Sequence, residues 1–248
     1  MRKERLDAIV LRKGWAVSRD EAADFVRNGR VRVNSLVRTD PSVRAEYDHV
    51  SLADSQKIPS YASRGGDKLS GALDFFGLSV SGLRMVDLGA STGGFTDCLL
   101  KAGALSVQAV DVGKGLLDDR LRKDVRVTLV ESANVRYPGD WMPDGGADGV
   151  VVDLSFISLR HVLGSVRHLL REGGFCLSLV KPQFEARPEE IERGGVVRSL
   201  RTQKEILRRV LNDFDQSGCE LRGVVPSSLR GRKGNQEYFF LTKWKGST

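Results

Sequence analysis

Met85-Val86-Asp87-Leu88-Gly89-Ala90-Ser91-Thr92-Gly93-Gly94-Phe95 begins as an apolar run of strand length and ends in a glycine-rich turn that opens a helix at about Phe95. Glycines in such a turn let the backbone bend sharply and come close to a ligand. Strand-length runs recur at Ser106 to Val110, Val127 to Val130, Val150 to Asp153, Cys176 to Val180 and Tyr238 to Leu241, with helix-length segments between them. This alternation predicts an α/β fold: a doubly wound, mostly parallel, Rossmann-like sheet with helices on both faces. One of the helices is marked by an apolar stripe of Val162, Leu163, Val166, Leu169 and Leu170, with Arg160, Arg167 and Arg171 outside it.

The D-x-G-x-x-x-G spacing lacks the G-x-G-x-x-G interval that cradles a pyrophosphate, and Asp87 at the strand end would repel a phosphate. A cationic cofactor without phosphate suits the loop better. S-adenosylmethionine, with its ammonium and sulfonium charges, is the expected ligand, held by Asp87, Gly89, Ala90, Ser91, Thr92, Gly93 and Gly94. Asp111 ends the next strand 22 residues beyond Gly89, where a carboxylate can accept from both ribose hydroxyls of an adenosine. Glu131 and Asn134 follow the third strand, where such folds hold the adenine edge. Asn134 reads equally well as a turn residue.

Residues 1–58 read as a separate small α+β domain. Leu6, Ile9 and Val10 lead to Gly14 as one short helix, and Ser18 with Glu21 forms a capping box for a second, carrying Ala22, Phe25 and Val26 up to Asn28-Gly29. Val31-Arg32-Val33 and His49-Val50-Ser51-Leu52 alternate as strands, with a turn at Asn34-Ser35. Residues 59–66 read as a linker and 67–246 as the sheet domain. The 248-residue chain carries a net charge of +7, and its first 45 residues hold 11 basic and 6 acidic side chains. Most of the positive excess is therefore N-terminal, which suits a polyanionic partner. Cys98, Cys176 and Cys219 form no CxxC pair and the three histidines show no ligand spacing, so no metal is expected. No apolar run reaches the ~18–20 residues of a membrane span, and the first residues lack an apolar signal core. A cytoplasmic location is the expectation.

Lys68, Asp153, Lys181 and Glu237 stand at element edges, not on open helical faces. Asp153 and Lys181 would end neighbouring strands, where open α/β sheets bind their ligands. The spans Ser63-Arg64-Gly65-Gly66-Asp67-Lys68-Leu69, Asp87 to Asp97, Asp153-Leu154-Ser155-Phe156-Ile157-Ser158-Leu159, Lys181-Pro182-Gln183-Phe184-Glu185 and Gly234-Asn235-Gln236-Glu237 together resemble the TlyA (hemolysin A) family. The likeness covers nearly the whole chain. It implies an S4 RNA-binding domain followed by an FtsJ-like, S-adenosylmethionine-dependent methyltransferase domain that modifies the 2′-hydroxyl of cytidines in 16S or 23S ribosomal RNA, or both. It implies a catalytic tetrad of Lys68, Asp153, Lys181 and Glu237, and RNA contacts from Arg5, Arg19, Arg30, Arg32 and Arg64. The chain departs from the family pattern at Lys114 and Leu116, where an aromatic residue and a glutamine are expected, and at Ser35, where the family has glycine.

A ribose 2′-hydroxyl holds its proton at neutral pH, so the site must take or share that proton as the oxygen attacks the methyl group in line. Lys181 is the candidate base, with Asp153 and Glu237 orienting it and the ribose. Two other readings stand beside this one. The first is a membrane-active hemolysin that uses residues 160–172 as a basic amphipathic helix. The second is an inactive RNA-binding or ribosome-assembly factor.

Overall fold

In the computed structural model, residues 3–27, 29–34, 36–53, 61–137, 139–231 and 233–244 are described. The chain divides into two compact units, residues 1–59 and 60–248.

The first unit runs β1 (Glu4–Arg5), α1 (Leu6–Arg12), α2 (Arg19–Arg27), β2 (Val31–Val33), β3 (Leu36–Arg38), β4 (Arg44–Ala45) and β5 (Val50–Leu52). Ser18 Oγ accepts the Glu21 N–H at 3.2 Å, but the Glu21 carboxylate reaches back to the Val17 N–H at 2.8 Å, one residue beyond the expected partner. Leu6, Ile9, Val10, Ala22, Val26, Val31 and Val50 close a small core. The sheet order is β3-β2-β5, with a separate β1-β4 ladder. Strand β3 is absent from the sequence reading because it is an edge strand with all three residues exposed, so no alternation marks it. His49, expected in the last strand, lies in a 3₁₀ turn, Tyr47–His49. Of the expected turn, Asn34 has φ 50° and Ser35 lies outside the described residues.

The second unit contains α3 (Arg64–Phe76), β6 (Arg84–Leu88), α4 (Gly94–Lys101), β7 (Ser106–Asp111), α5 (Asp119–Arg122), β8 (Val127–Glu131), β9 (Ala147–Val152), α6 (Leu163–Leu169), β10 (Leu170–Val180), α7 (Pro182–Glu185), α8 (Leu200–Gln216), β11 (Cys219–Pro226) and β12 (Tyr238–Trp244). Residues 59–66 are not one linker. Positions 59 and 60 lie outside the described residues, and Arg64-Gly65-Gly66 is already the first turn of α3, capped by Ser63 Oγ. The two glycines, which read as linker, serve close packing here. A Cβ on Gly66 would lie 2.3 Å from Tyr61 side-chain atoms, and Gly65 faces the Phe95 ring on α4.

The sheet order is β11-β12-β10-β9-β6-β7-β8. Strands β8, β7, β6, β9 and β10 are parallel, and β12 runs antiparallel to both β10 and β11. Alternate residues feed opposite cores. Met85, Val107, Val151, Leu177 and Phe239 meet α3 and α4 on one face, while Val86, Val110, Val150, Cys176 and Phe240 meet α6 and α8 on the other. A strand buried on both sides shows continuous apolar sequence, which is why these strands were readable. Edge strand β11 was missed because most of its residues are exposed and its sequence is mixed. The helix expected from Val162 to Leu170 is shorter: α6 spans only Leu163–Leu169, and Leu170 and Arg171 already belong to β10.

Gly149 in β9 sits where a Cβ would lie 2.5 Å from the Phe175 ring and 2.7 Å from Met85. Overpacking of this kind costs about 1–3 kcal/mol, so Gly149→Ala is expected to lower the melting temperature by about 3–10 °C. Gly164→Ala on α6, where a Cβ meets nothing within 4 Å, should raise stability by about 0.5–1 kcal/mol. Parallel thermal melts of the two variants check both, and equal shifts would contradict the packing described.

Candidate active site

The carboxyl ends of β6, β9 and β10 open on one edge of the sheet, and β12, running the other way, begins there. Val180 pairs with Tyr238, so Lys181 and Glu237 flank the last registered pair. The Glu237 side chain is buried, and its Oε2 accepts from Lys68 Nζ at 2.5 Å across from the first turns of α3. Lys181, also buried, places Nζ 2.6 Å from Asp153 Oδ1, an ion pair without hydrogen-bond alignment, and donates to Ser155 Oγ at 3.1 Å. The four residues thus form two lysine–carboxylate pairs.

Each residue is held by its backbone. The Asp153 N–H donates to the Leu88 carbonyl at 3.0 Å, which fixes the residue after β9 to the end of β6. Gly89 has φ +87°, and a Cβ there would lie 2.6 Å from the Asp153 carbonyl oxygen, so glycine is needed where the loop and β9 converge. Glu237 is framed by its own motif. Asn235, buried, accepts the Val197 N–H at 2.9 Å and donates to the Gly195 carbonyl at 3.0 Å, while Gln236 donates to the Ser227 carbonyl at 3.1 Å. A Cβ on Gly231 would collide with Glu237 Oε1 at 2.4 Å. These supporting roles of Asn235, Gln236 and Gly231 were not assigned from sequence.

In the glycine loop, Asp87 is fully buried. Its Oδ2 accepts the Thr96 hydroxyl at 2.7 Å, while Oδ1 has no hydrogen-bond partner among the described residues. Burial pushes the Asp87 carboxyl up to about 7, with Thr96 working against the shift and the nearby Asp153 and Asp111 adding to it. An unpartnered, buried acidic oxygen under a glycine turn fits a cationic ligand, whose charge would offset the desolvation. Ser91 (φ 49°) and Gly93 (φ +91°) shape the turn, and Ala90 and Gly94 are buried within it. A Cβ on Gly94 would meet Ser63 Oγ at 2.1 Å, so α3 and α4 begin against one another. Thr92 is exposed and its carbonyl accepts from the Asp118 N–H.

Asp111 ties two loops together, its carboxylate accepting the Ser91 N–H at 2.8 Å and the Gly113 N–H at 2.7 Å. Two of its roughly four acceptor positions remain for ribose hydroxyls. Glu131 accepts from the Gly115 N–H at 2.7 Å and from Arg122 at 3.0 Å, and these bonds hold its carboxyl below the usual range. It braces the Gly113–Gly115 loop. Asn134 is exposed and its Oδ1 accepts the Arg136 N–H at 3.1 Å.

Sequence reasoning passed over Phe156. It lies three residues after Asp153, is 90% exposed, and has φ 65°, a left-handed conformation that is rare for a bulky residue. Its ring packs on Phe184 at 5.2 Å between centroids, and Lys181 Nζ stands 5.7 Å from the Phe184 ring centre.

Of the arginines expected to meet RNA, Arg64 in the second unit is exposed and donates to the Arg230 carbonyl at 3.3 Å. In the first unit Arg19 is exposed, Arg32 and Arg30 are half-buried with Arg30 over the Phe25 ring, and Arg5 is paired with the buried Asp7 at 2.8 Å. The Arg5 guanidinium is thus partly engaged in shaping its own unit.

Residues 61–244 match the FtsJ-like methyltransferase family and residues 4–46 the S4 domain. The chain is 40% identical over 241 residues to the 16S/23S rRNA (cytidine-2′-O)-methyltransferase TlyA of Mycobacterium tuberculosis, covering 96% of this chain and 89% of that protein. It is 36% identical over 236 residues to Hemolysin A of Brachyspira hyodysenteriae, covering 94% and 97% respectively. The solved structure of a hemolysin candidate from Streptococcus thermophilus aligns with a TM-score of 0.77 at 36% identity, over 100% of this chain and 90% of that one.

Asp87 makes a pH signature. Its folded chain keeps a proton that the unfolded chain releases from the ordinary value of 3.8 upward. The stabilisation is therefore full below about pH 4 and lost as pH rises through about 7. The stability difference between the unsubstituted chain and Asp87→Asn should fall by up to about 4 kcal/mol across that window and level off above it. Urea denaturation at a series of pH values measures this, and a pH-independent difference would refute it.

Proposed function

The chain belongs to the group of FtsJ-like methyltransferases that includes TlyA and Hemolysin A, with an S4 domain ahead of the catalytic one, and from that premise we propose that it methylates the ribose 2′-hydroxyl of a cytidine in ribosomal RNA. The observation that carries the chemistry is the double pairing of Lys68 with Glu237 and Lys181 with Asp153, beside a glycine loop over a buried, unpartnered carboxyl oxygen. S-adenosylmethionine, when bound, supplies an electrophilic methyl group on a positively charged sulfur. Asp87 and the backbone from Gly89 to Gly94 would hold its charged end, and Asp111 its ribose.

The chain's own residues handle the oxygen and its proton. Lys181 Nζ binds the 2′-oxygen and faces it toward the methyl group. As the new oxygen–carbon bond forms and the O–H bond breaks, Lys181 passes one of its protons to Asp153, 2.6 Å away, and takes the hydroxyl proton in exchange. Ser155 fixes the direction of Nζ during the exchange. Lys68 and Glu237 orient the ribose. Alignment is the larger contribution, since positioning of reactants can be worth about 7–11 kcal/mol and general-base assistance about 10²–10⁴-fold. The exposed Phe156 ring offers a stacking face for a nucleobase, and the basic first unit supports attachment to RNA phosphates. We also infer that the protein works where ribosomes are assembled, in the cytoplasm.

A membrane-lytic reading has little to stand on. Among the described residues no helix is long and apolar enough to cross a membrane, and the apolar side of α6, Leu163, Val166 and Leu169, is buried in the sheet domain's core.

Incubating the protein with labelled S-adenosylmethionine and separated ribosomal subunits, then mapping 2′-O-methyl groups, should place label on a cytidine. Label in neither subunit overturns the proposal. Lys181→Ala should abolish detectable methylation while the Kd for the cofactor stays within a few-fold; unchanged turnover would remove Lys181 from the mechanism. Phe156→Ala should raise KM for the subunit, since stacking of a base on an aromatic ring is worth about 1–3 kcal/mol.

A further inference from the structure

The chemistry above leaves Glu185 unused, yet its carboxylate has an unusual pair of partners. Oε2 accepts the Ser158 hydroxyl at 2.5 Å and Oε1 accepts the Leu159 N–H at 2.9 Å, 26 to 27 residues away in sequence. Burial pushes its carboxyl above the usual range, against the pull of those two bonds. The bonds join the loop after β9 to the turn after β10.

Each of these two segments starts with one member of a catalytic pair and carries one phenylalanine. Asp153 opens the first and Phe156 lies within it; Lys181 opens the second and Phe184 lies within it. At the catalytic end the segments are tied by the Asp153–Lys181 pair and by Lys181 with Ser155. At the far end Glu185 is the tie. Between them Phe156 holds a left-handed backbone with its ring almost wholly in solvent, an arrangement that persists only when its surroundings fix it. Glu185 follows Phe184 directly, and the turn that carries both is closed by the Phe184 N–H on the Lys181 carbonyl at 2.8 Å and the Ala186 N–H on the Pro182 carbonyl at 2.8 Å.

We propose that Glu185 is a positioning residue for the RNA substrate: its carboxylate clasps Ser158 and Leu159, and so fixes Phe156 against Phe184 as a rigid shelf for the target nucleobase. The inference rests on the functional reading above. A rigid shelf binds better than a mobile one because the ring's freedom is already lost before the base arrives. Glu185 itself touches neither base nor cofactor. Its effect therefore belongs in the binding of RNA, and the proton chemistry at Lys181 is left intact.

Glutamine at this position can keep both bonds. Its amide oxygen accepts from the Leu159 N–H, and its NH₂ donates to the Ser158 oxygen, which exchanges its donor role for an acceptor one. Alanine keeps neither. In assays with full-length protein and ribosomal subunits, Glu185→Ala is expected to raise KM for the subunit about tenfold, inside the roughly 5- to 150-fold range of base stacking. Turnover number and the Kd for S-adenosylmethionine should stay within about threefold, and Glu185→Gln should return KM to within about threefold of the unsubstituted chain. The double variant Glu185→Ala, Phe156→Ala should resemble Phe156→Ala alone, because both changes remove one shelf. Ser158→Ala, which deletes half the clasp, should give a smaller rise in KM and serves if the alanine variant at 185 does not fold. A KM unmoved by Glu185→Ala or by Ser158→Ala, a loss confined to turnover, no rescue by glutamine, or multiplicative effects in the double variant would each overturn the role given to Glu185. An unsubstituted chain that labels neither subunit fails earlier, and then it is the functional reading that falls.

Discussion

Two lysine–carboxylate pairs sit, largely buried, at one edge of a seven-stranded sheet, and the surrounding structure holds the members of each pair together. Lys181 and Glu237 are 8% and 3% exposed. A charge in that position without its partner is strongly destabilising, while a pair with good geometry roughly offsets its own desolvation. The pairs therefore add little net stability, but they tightly constrain where four side chains lie. Chain order alone would keep them apart, since Lys68 and Glu237 are 169 residues distant in sequence. The insertion of β10 between β9 and the antiparallel β12 is what brings their carriers to one edge.

That convergence demands close backbone approach, and glycine supplies it where side chains would block it. Gly89 lets the end of β6 meet Asp153, Gly94 lets α4 begin against α3, and Gly231 leaves room for the Glu237 carboxylate. In each case the neighbour is a backbone atom, a capping hydroxyl or the carboxylate of a lysine–carboxylate pair. The same glycines that suggested a ligand cradle thus also join the cradle to the tetrad. The Asp153 backbone lies against Gly89 while its side chain belongs to the Lys181 pair, so the glycine turn and one lysine–carboxylate pair share one residue.

How legible this was depended on burial. Strands β6, β7, β9 and β10 read directly because both of their faces are covered, which leaves an unbroken apolar run. Strands β3 and β11 did not, because an edge position exposes residues of any type. The glycines of α3 pointed to a linker because helix propensity penalises them, and only the Tyr61 side chain lying where a Cβ of Gly66 would be, with the Phe95 ring against Gly65, explains why the helix keeps them. The candidate residues Asp153, Lys181 and Glu237 were legible as polar groups at element edges, whereas Lys68, read the same way, lies within helix α3; the pairing of the four was not legible, because ion pairing between distant segments leaves no periodicity. Glu131 and Asn134 show the same limit: their place after the third strand suggested adenine contacts, and the bonds Glu131 makes to Gly115 and Asn134 makes to Arg136 had no signal in the sequence.

Phe156 and Glu185 bear on how tasks are divided around the two pairs. On the proposed mechanism, a sheet edge that exchanges a proton away from water cannot at the same time present a large recognition surface, and the ring that would meet a base stands on a loop, 90% exposed. A loop alone would let that ring wander, and a wandering ring gives back in ordering entropy much of what stacking gains. Anchoring the loop at both ends, by Lys181 on the catalytic side and Glu185 on the other, keeps the exposed group rigid without burying it. Charge is divided in a similar way. The positive excess that would hold an RNA backbone is concentrated in the first 45 residues, so it need not be placed beside Lys68 and Lys181, where further cations would compete for Glu237 and Asp153.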